Sequence, residues 1–128
     1  MIEIKHKAIF DGTSNQIAYD LLYTAREIQM RDSLYLWLIR LLAPKPNSLL
    51  LDISCGQGQL VRLAAGEGLH SIGIDISFAG ISRGDFQQTN QTTWLVGDGE
   101  KIPLADASID YITHIGSLEH YQNPLDGV

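Results

Sequence analysis

Apolar residues in the first third of the chain recur at helical spacing. From Asn15 to Ile28, the residues Ile17, Leu21, Ala25 and Ile28 share one face after a Gly-Thr-Ser-Asn cluster that supplies an N-cap, which predicts a first amphipathic helix. A second is predicted from Asp32 or Ser33, with Leu34, Leu38, Leu41 and Leu42 at i, i+4, i+7 and i+8, until Pro44 and Pro46 stop it. The pattern then changes. Leu49-Leu50-Leu51-Asp52-Ile53 is an apolar run without alternation, as expected of a strand covered on both faces in a parallel sheet. A helix follows from about Gly58 to Ala65 with Gly66 and Gly68 as stops, then a strand from Ser71 to Asp75 and a helix from about Phe78 to Gln87. Trp94-Leu95-Val96 marks a third strand, and Ile109 to Thr113 a fourth after the turn residues Ala105 to Ser108.

Strands alternating with helices predict an α/β fold with a doubly wound parallel sheet, whose ligand sits at the carboxyl ends of the strands. The organisation expected is an N-terminal helical segment, residues 1–46, and a core, residues 47–128, with no internal repeat.

Composition narrows the function classes. With 128 residues, 45% hydrophobic and 19% charged, the chain suits one folded domain with a modest core. Fifteen acidic residues against 9 basic ones give a net charge of −6, which offers no footprint for clamping a phosphate backbone, so nucleic acid falls as a partner. The single cysteine, Cys55, rules out an internal disulfide and points to a reducing, cytoplasmic setting. The start MIEIKHKAIF has no long apolar stretch, and Leu34 to Ala43 is interrupted by Arg40 and too short for a bilayer, so no signal peptide or membrane span is expected.

The candidate chemistry lies in Leu51-Asp52-Ile53-Ser54-Cys55-Gly56-Gln57-Gly58-Gln59-Leu60, between a buried strand and a helix. Glycine at 56 and 58 lets a ligand approach the main chain, where N–H groups at the helix start face a polar group; a plain turn is the simpler alternative. Asp75 ends the second strand, placing a carboxylate beside that loop, where it can accept from two ribose hydroxyls. Its alternative role is to cap the next helix, for which Ser77 also qualifies. A nicotinamide-binding Rossmann protein would offer the same two anchors. The third segment, Val96-Gly97-Asp98-Gly99-Glu100, is an acidic loop in which Asp98 can accept from an adenine amino group. The glycine loop also has Val61 where the dinucleotide fingerprint has its third glycine, which weakens the NAD-dependent oxidoreductase reading.

In these segments, together with Ile109 to His120, the chain resembles the class I S-adenosylmethionine-dependent methyltransferases, and within them the small-molecule type known as methyltransferase type 11 or ubiquinone/menaquinone-biosynthesis-like. The resemblance covers about Ser48 to Asn123. It implies a Rossmann-like sheet in the order 3-2-1-4, S-adenosyl-L-methionine as cofactor and a small-molecule methyl acceptor. By position it implies that Asp52, Gly56 and Gly58 line the methionine and ribose side, with Ser54 at a place often held by glycine. Asp75 would hold the ribose hydroxyls, Ile76 pack on adenine, and Asp98 read its amino group with Gly99 beside it.

The fourth segment, Thr113 to His120, follows the fourth strand, where the family places residues beside the reactive methyl; His114, Ser117, Glu119 and His120 are its catalytic candidates. Proton transfer is one role for the histidines and glutamate; capping by Glu119 and His120, with His114 on the pocket floor, is the other. Their spacing matches no zinc signature, so no metal is expected. The family's sheet has seven strands and four are placed before Val128. The chain is therefore expected to be a fragment or a split protein, with an exposed fourth-strand edge prone to self-association or a partner chain. A noncatalytic cofactor-binding remnant is the alternative to a methyltransferase domain.

Overall fold

The computed structural model describes residues 12–25, 30–85, 89–117, 121, 123 and 125. Two helices, α1 (Gly12–Ala25) and α2 (Asp32–Leu41), precede β1 (Leu49–Ile53); then follow α3 (Gln59–Gly66), β2 (His70–Asp75), α4 (Phe78–Asp85), β3 (Thr92–Val96) and β4 (Tyr111–His114). The strands form one parallel sheet in the order β3-β2-β1-β4, the arrangement expected. Its registers pair Leu51 with Ile72 on one side and with Ile112 on the other.

Neighbours on both sides explain the unbroken apolar run of β1. Leu50 to Ile53 are all buried, whereas the edge strands β3 and β4 are only partly covered. Strand parity divides the core into two layers. Leu50 joins Ile39, Leu60, Ala64 and Leu69 beneath α2 and α3, while Leu51 and Ile53 join Ile72 and Ile74 beneath Leu95, Ile102, Leu104, Ile109 and Tyr121. Parity therefore sends Asp52 to the Leu50 side. Outside the core, the exposed Arg40 guanidinium makes two 3.0 Å bonds to Glu67, tying α2 to the end of α3.

The faces of the two N-terminal helices differ from the expected ones. α1 starts at Gly12, so the Gly-Thr-Ser-Asn cluster forms its first turn; residues 26–28 of the expected helix lie outside the described residues. Ile17 and Leu21 are 57% and 66% exposed, because α1 packs along α4 and turns Tyr19, Leu22 and Tyr23 inward. In α2 the fully buried residue is Ile39, with Tyr35 one turn before it, while Leu41 is 67% exposed. The partner surfaces decide: α1 meets α4 and the cavity, whereas α2 meets the core of Leu50, Leu60, Ala64 and Leu69. β4 also begins two residues later than expected. Asp110 instead ties the start of β1, its N–H donating to the Leu49 carbonyl and its carboxylate accepting from the Leu49 N–H.

Among the described residues, no helix is long and apolar enough to cross a membrane.

Candidate functional site

All four parallel strands point their carboxyl ends toward one cavity of about 410 Å³, within the range usual for small-molecule sites. Its walls come from the loop after β1 (Ser54 to Gln57), the end of β2 (Asp75, Ile76), the loop after β3 (Asp98 to Glu100) and the segment after β4 (Ile115 to Ser117, Tyr121). Tyr19, Leu22 and Tyr23 of α1, Met30 just before α2 and Tyr35 within it close the remaining side.

Asp75 holds this arrangement together. Its Oδ2 accepts from the Gly56 N–H at 2.7 Å and its Oδ1 from the Ser77 N–H at 2.8 Å, so one carboxylate joins the ends of two strands. Burial raises its pKa, against the pull of those two N–H donors. Ser77 rather than Asp75 caps α4: its Oγ accepts from the Gly80 N–H at 3.0 Å and donates to Asp20 Oδ1 of α1 at 2.6 Å. The Ala79 N–H also donates to Asp20, so α1 is anchored at the start of α4.

The glycine loop owes its glycines to packing as well as to access. Gly56 has φ +55°, and a Cβ there would lie 2.6 Å from the Tyr23 hydroxyl. Gly58 has φ +70°, and a Cβ there would overlap the Trp94 ring. The space at Gly58 is thus filled by an indole from β3. Gly58 does not line the cavity.

Asp52 does not line it either. Sent by parity to the α2 and α3 side, it is 5% exposed and accepts from Thr113 Oγ1 of β4 at 2.7 Å. Burial pushes its carboxyl up to about 7, with the Thr113 bond opposing and Asp75 adding to the rise. Because the folded value exceeds the ordinary 3.8, the protonated carboxyl suits the fold. Its stabilising effect is complete below about pH 4 and is lost as pH rises toward 7. The shift corresponds to about 4 kcal/mol, of which the amide donors of an asparagine would offset about half. Asp52→Asn is therefore expected to be near neutral at pH 5 and to stabilise by roughly 2 kcal/mol at pH 8, measured by urea unfolding at both values.

Of the residues singled out in the sequence, Ser54, Gly56, Asp75, Ile76, Asp98, Gly99 and Ser117 come together around the cavity. Asp98 shapes its own loop, its Oδ1 accepting from the Glu100 N–H at 2.9 Å. His114 stands behind the wall, its ring 4.9 Å from that of Tyr121. Glu119 and His120 lie outside the described residues. Cys55 lines the loop, but burial raises its thiol pKa well above the usual range, so it is no nucleophile near neutrality. No group of three metal-ligating side chains occurs among the described residues.

The tyrosines went unnoticed in the sequence. Tyr19 and Tyr23 are four apart and share a helix face, a signal obscured by the apolar residues on the opposite side. Gln57 and Tyr121 carried no local signal at all. Gln57 Nε2 and Ser117 Oγ, both on cavity residues, are buried without a hydrogen-bond partner among the described residues. Such groups are costly to leave unpaired.

Residues 51–128 match the model of a family described as "Methyltransferase domain". Over 75 residues the chain is 31% identical to the ubiquinone/menaquinone biosynthesis C-methyltransferase UbiE of Rubrivivax gelatinosus, an alignment covering 59% of this chain and 30% of that protein. Among solved structures it is similar to a Haemonchus contortus phosphoethanolamine N-methyltransferase in complex with phosphomonomethylethanolamine and S-adenosylhomocysteine, with TM-score 0.69, 24% identity and 74% and 24% of the two chains covered. It is also similar to the magnesium protoporphyrin IX methyltransferase of Synechocystis PCC 6803 with bound SAM, with TM-score 0.68, 19% identity and 91% and 67% covered. The chain thus spans about a third of the curated relative and a quarter of the Haemonchus enzyme.

Proposed function

Because the chain belongs to the methyltransferase-domain family, we propose that its cavity binds S-adenosyl-L-methionine and that the protein moves the sulfonium methyl to a small-molecule acceptor. The observation that carries this reading is Asp75, a buried carboxylate that joins the glycine loop to the end of β2 and still faces the cavity. Each of its oxygens accepts one N–H and has a further lone pair for a ribose hydroxyl. We read Asp98, which lines the same cavity from the loop after β3, as the acceptor for an adenine amino group, and Ile76 as the side chain that covers the ring.

The cofactor supplies an electrophilic methyl that needs no activation. What the chain contributes is placement and exclusion of water. Tyr19, Tyr23 and Tyr35 roof the cavity, and well-oriented placement can lower a barrier by about 7–11 kcal/mol. Three carboxylates and no lysine or arginine stand among the described lining residues, which favours a cationic sulfonium over an anionic ligand. We keep His114, at the end of β4 beside Tyr121, as a candidate base for an acceptor that must lose a proton. The edge of β4 that pairs with no strand among the described residues, where Ile112 is 57% exposed, is read as the place where a further strand or a second chain pairs. We read the compartment as cytoplasmic, from the single free cysteine.

Calorimetric titration with S-adenosylhomocysteine is expected to give saturable one-to-one binding, with NAD as a nonbinding control. Saturable binding of NAD, or heat from neither compound with folded protein, would sink the reading.

A further inference from the structure

Tyr121 lies outside every motif singled out in the sequence, yet its hydroxyl reaches across the end of the sheet. It makes a 2.9 Å hydrogen bond with Ser54 Oγ in the loop after β1. On the other side it occupies the space that a Cβ on Gly99 would take, in the loop after β3. The Asn123 N–H, two residues on, donates to Glu100 Oε1 at 2.8 Å, fastening the same segment to the same acidic loop. Its ring packs with the Leu51, Ile53, Ile72 and Ile74 layer and against His114. The hydroxyl is therefore held in place from several sides.

Its partner is held in an uncommon conformation. Ser54 has φ +59°, the left-handed region that glycine adopts freely and a residue with a Cβ does not. A non-glycine residue kept there, beside a cavity, points to a task for its side chain. The only hydrogen bond recorded for that side chain among the described residues is the one to Tyr121.

We infer that Ser54 and Tyr121 form a paired-hydroxyl element that donates a hydrogen bond to the nucleoside part of the ligand. This assignment rests on the nucleoside-cofactor reading above. Whichever hydroxyl donates within the pair, the other keeps an O–H free to point into the cavity that both line. Asp75, Asp98 and Glu100, the carboxylates of this side, accept only when ionised. A nucleoside has donors in its hydroxyls and amino group but also ring oxygen and nitrogen acceptors, and the pair provides the donor these carboxylates lack. Burial and the nearby carboxylates raise the Tyr121 pKa, so the phenol keeps its proton at neutral pH. Tyr121 is thus a binding residue, and the strain at Ser54 is retained for the hydroxyl.

The test separates the hydroxyl from the backbone. Ser54→Ala and Ser54→Gly both remove the hydroxyl, but only glycine relieves the left-handed strain. Tyr121→Phe removes the other hydroxyl and keeps the ring. Binding of S-adenosylhomocysteine and of 5′-methylthioadenosine, which lacks the amino-acid part, is measured by calorimetry, and Tm by differential scanning. Each single variant is expected to weaken both ligands by about 5–10-fold, and the Ser54→Ala/Tyr121→Phe double variant by little more than either alone. Ser54→Gly is expected to melt roughly 2–5 °C above Ser54→Ala while binding no better. Unchanged affinity in Tyr121→Phe, or wild-type affinity in Ser54→Gly, overturns the inference. Loss for the homocysteine compound alone overturns the nucleoside assignment. If the unaltered chain binds neither ligand, both this inference and the function on which it rests fall together.

Discussion

Asp75→Ala is expected to abolish measurable ligand binding, weakening S-adenosylhomocysteine by more than about 100-fold, because two hydrogen bonds to an ionised carboxylate are each worth about 1.5–3 kcal/mol. The fold is expected to suffer too. Gly56 and Ser77 are buried, and removing the carboxylate leaves both N–H groups without an acceptor, at a cost of about 1–3 kcal/mol apiece. Relief from burying a charge offsets part of this, so a net loss of about 2–3 kcal/mol is expected in urea unfolding. Binding and stability must be measured at a temperature where the variant remains folded. A variant that is folded and binds normally would show that Asp75 is only a structural tie between the loop and β2.

Gly58→Ala is expected to be the most damaging substitution for the fold, at about 2–5 kcal/mol. Two causes add. The left-handed φ of +70° disfavours any residue with a Cβ by about 1–2 kcal/mol, and displacing the Trp94 ring adds the cost of overpacking, about 1–3 kcal/mol. The indole fluorescence of Trp94 should shift with the ring's displacement. The second variant, Gly58→Ala in a Trp94→Ala background, is expected to lose only the backbone part, about 1–2 kcal/mol, since the space is then open. Equal losses in the two backgrounds would show that the indole has no part in the requirement for glycine. Gly58 does not line the cavity, so any effect on ligand affinity should follow the loss of folded protein.

The two glycines of the loop therefore differ. Gly56 lines the cavity beneath Tyr23, whereas Gly58 accommodates a side chain from β3. Their spacing in the sequence is the same signal for both. Only the tertiary structure shows which space belongs to a ligand and which to the protein itself.

By itself the sequence determined what depends on local pattern. The period change after Pro46, the unbroken run in β1 and the alternation of strands with helices were enough for a parallel α/β sheet, and the resemblance supplied its order. Loops at strand ends were legible as well, since Ser54, Gly56, Asp75, Ile76, Asp98 and Gly99 each sit at a strand's last residue or within three residues after it, and parallel strands bring those ends together. Three things were decided only in three dimensions. Strand parity set Asp52 on the α2 and α3 side, in a buried bond with Thr113 and outside the cavity lining. The inward face of α1 was set by a cavity rim that met Tyr19 and Tyr23 in place of Ile17 and Leu21, and that of α2 by the core around Leu50, where Ile39 and Tyr35 pack in place of Leu41. Tyr121 met Ser54 across 67 residues of chain. Periodicity reports which face of an element is apolar, but not which distant surface it meets, and a contact between segments far apart in sequence leaves no mark on either one alone.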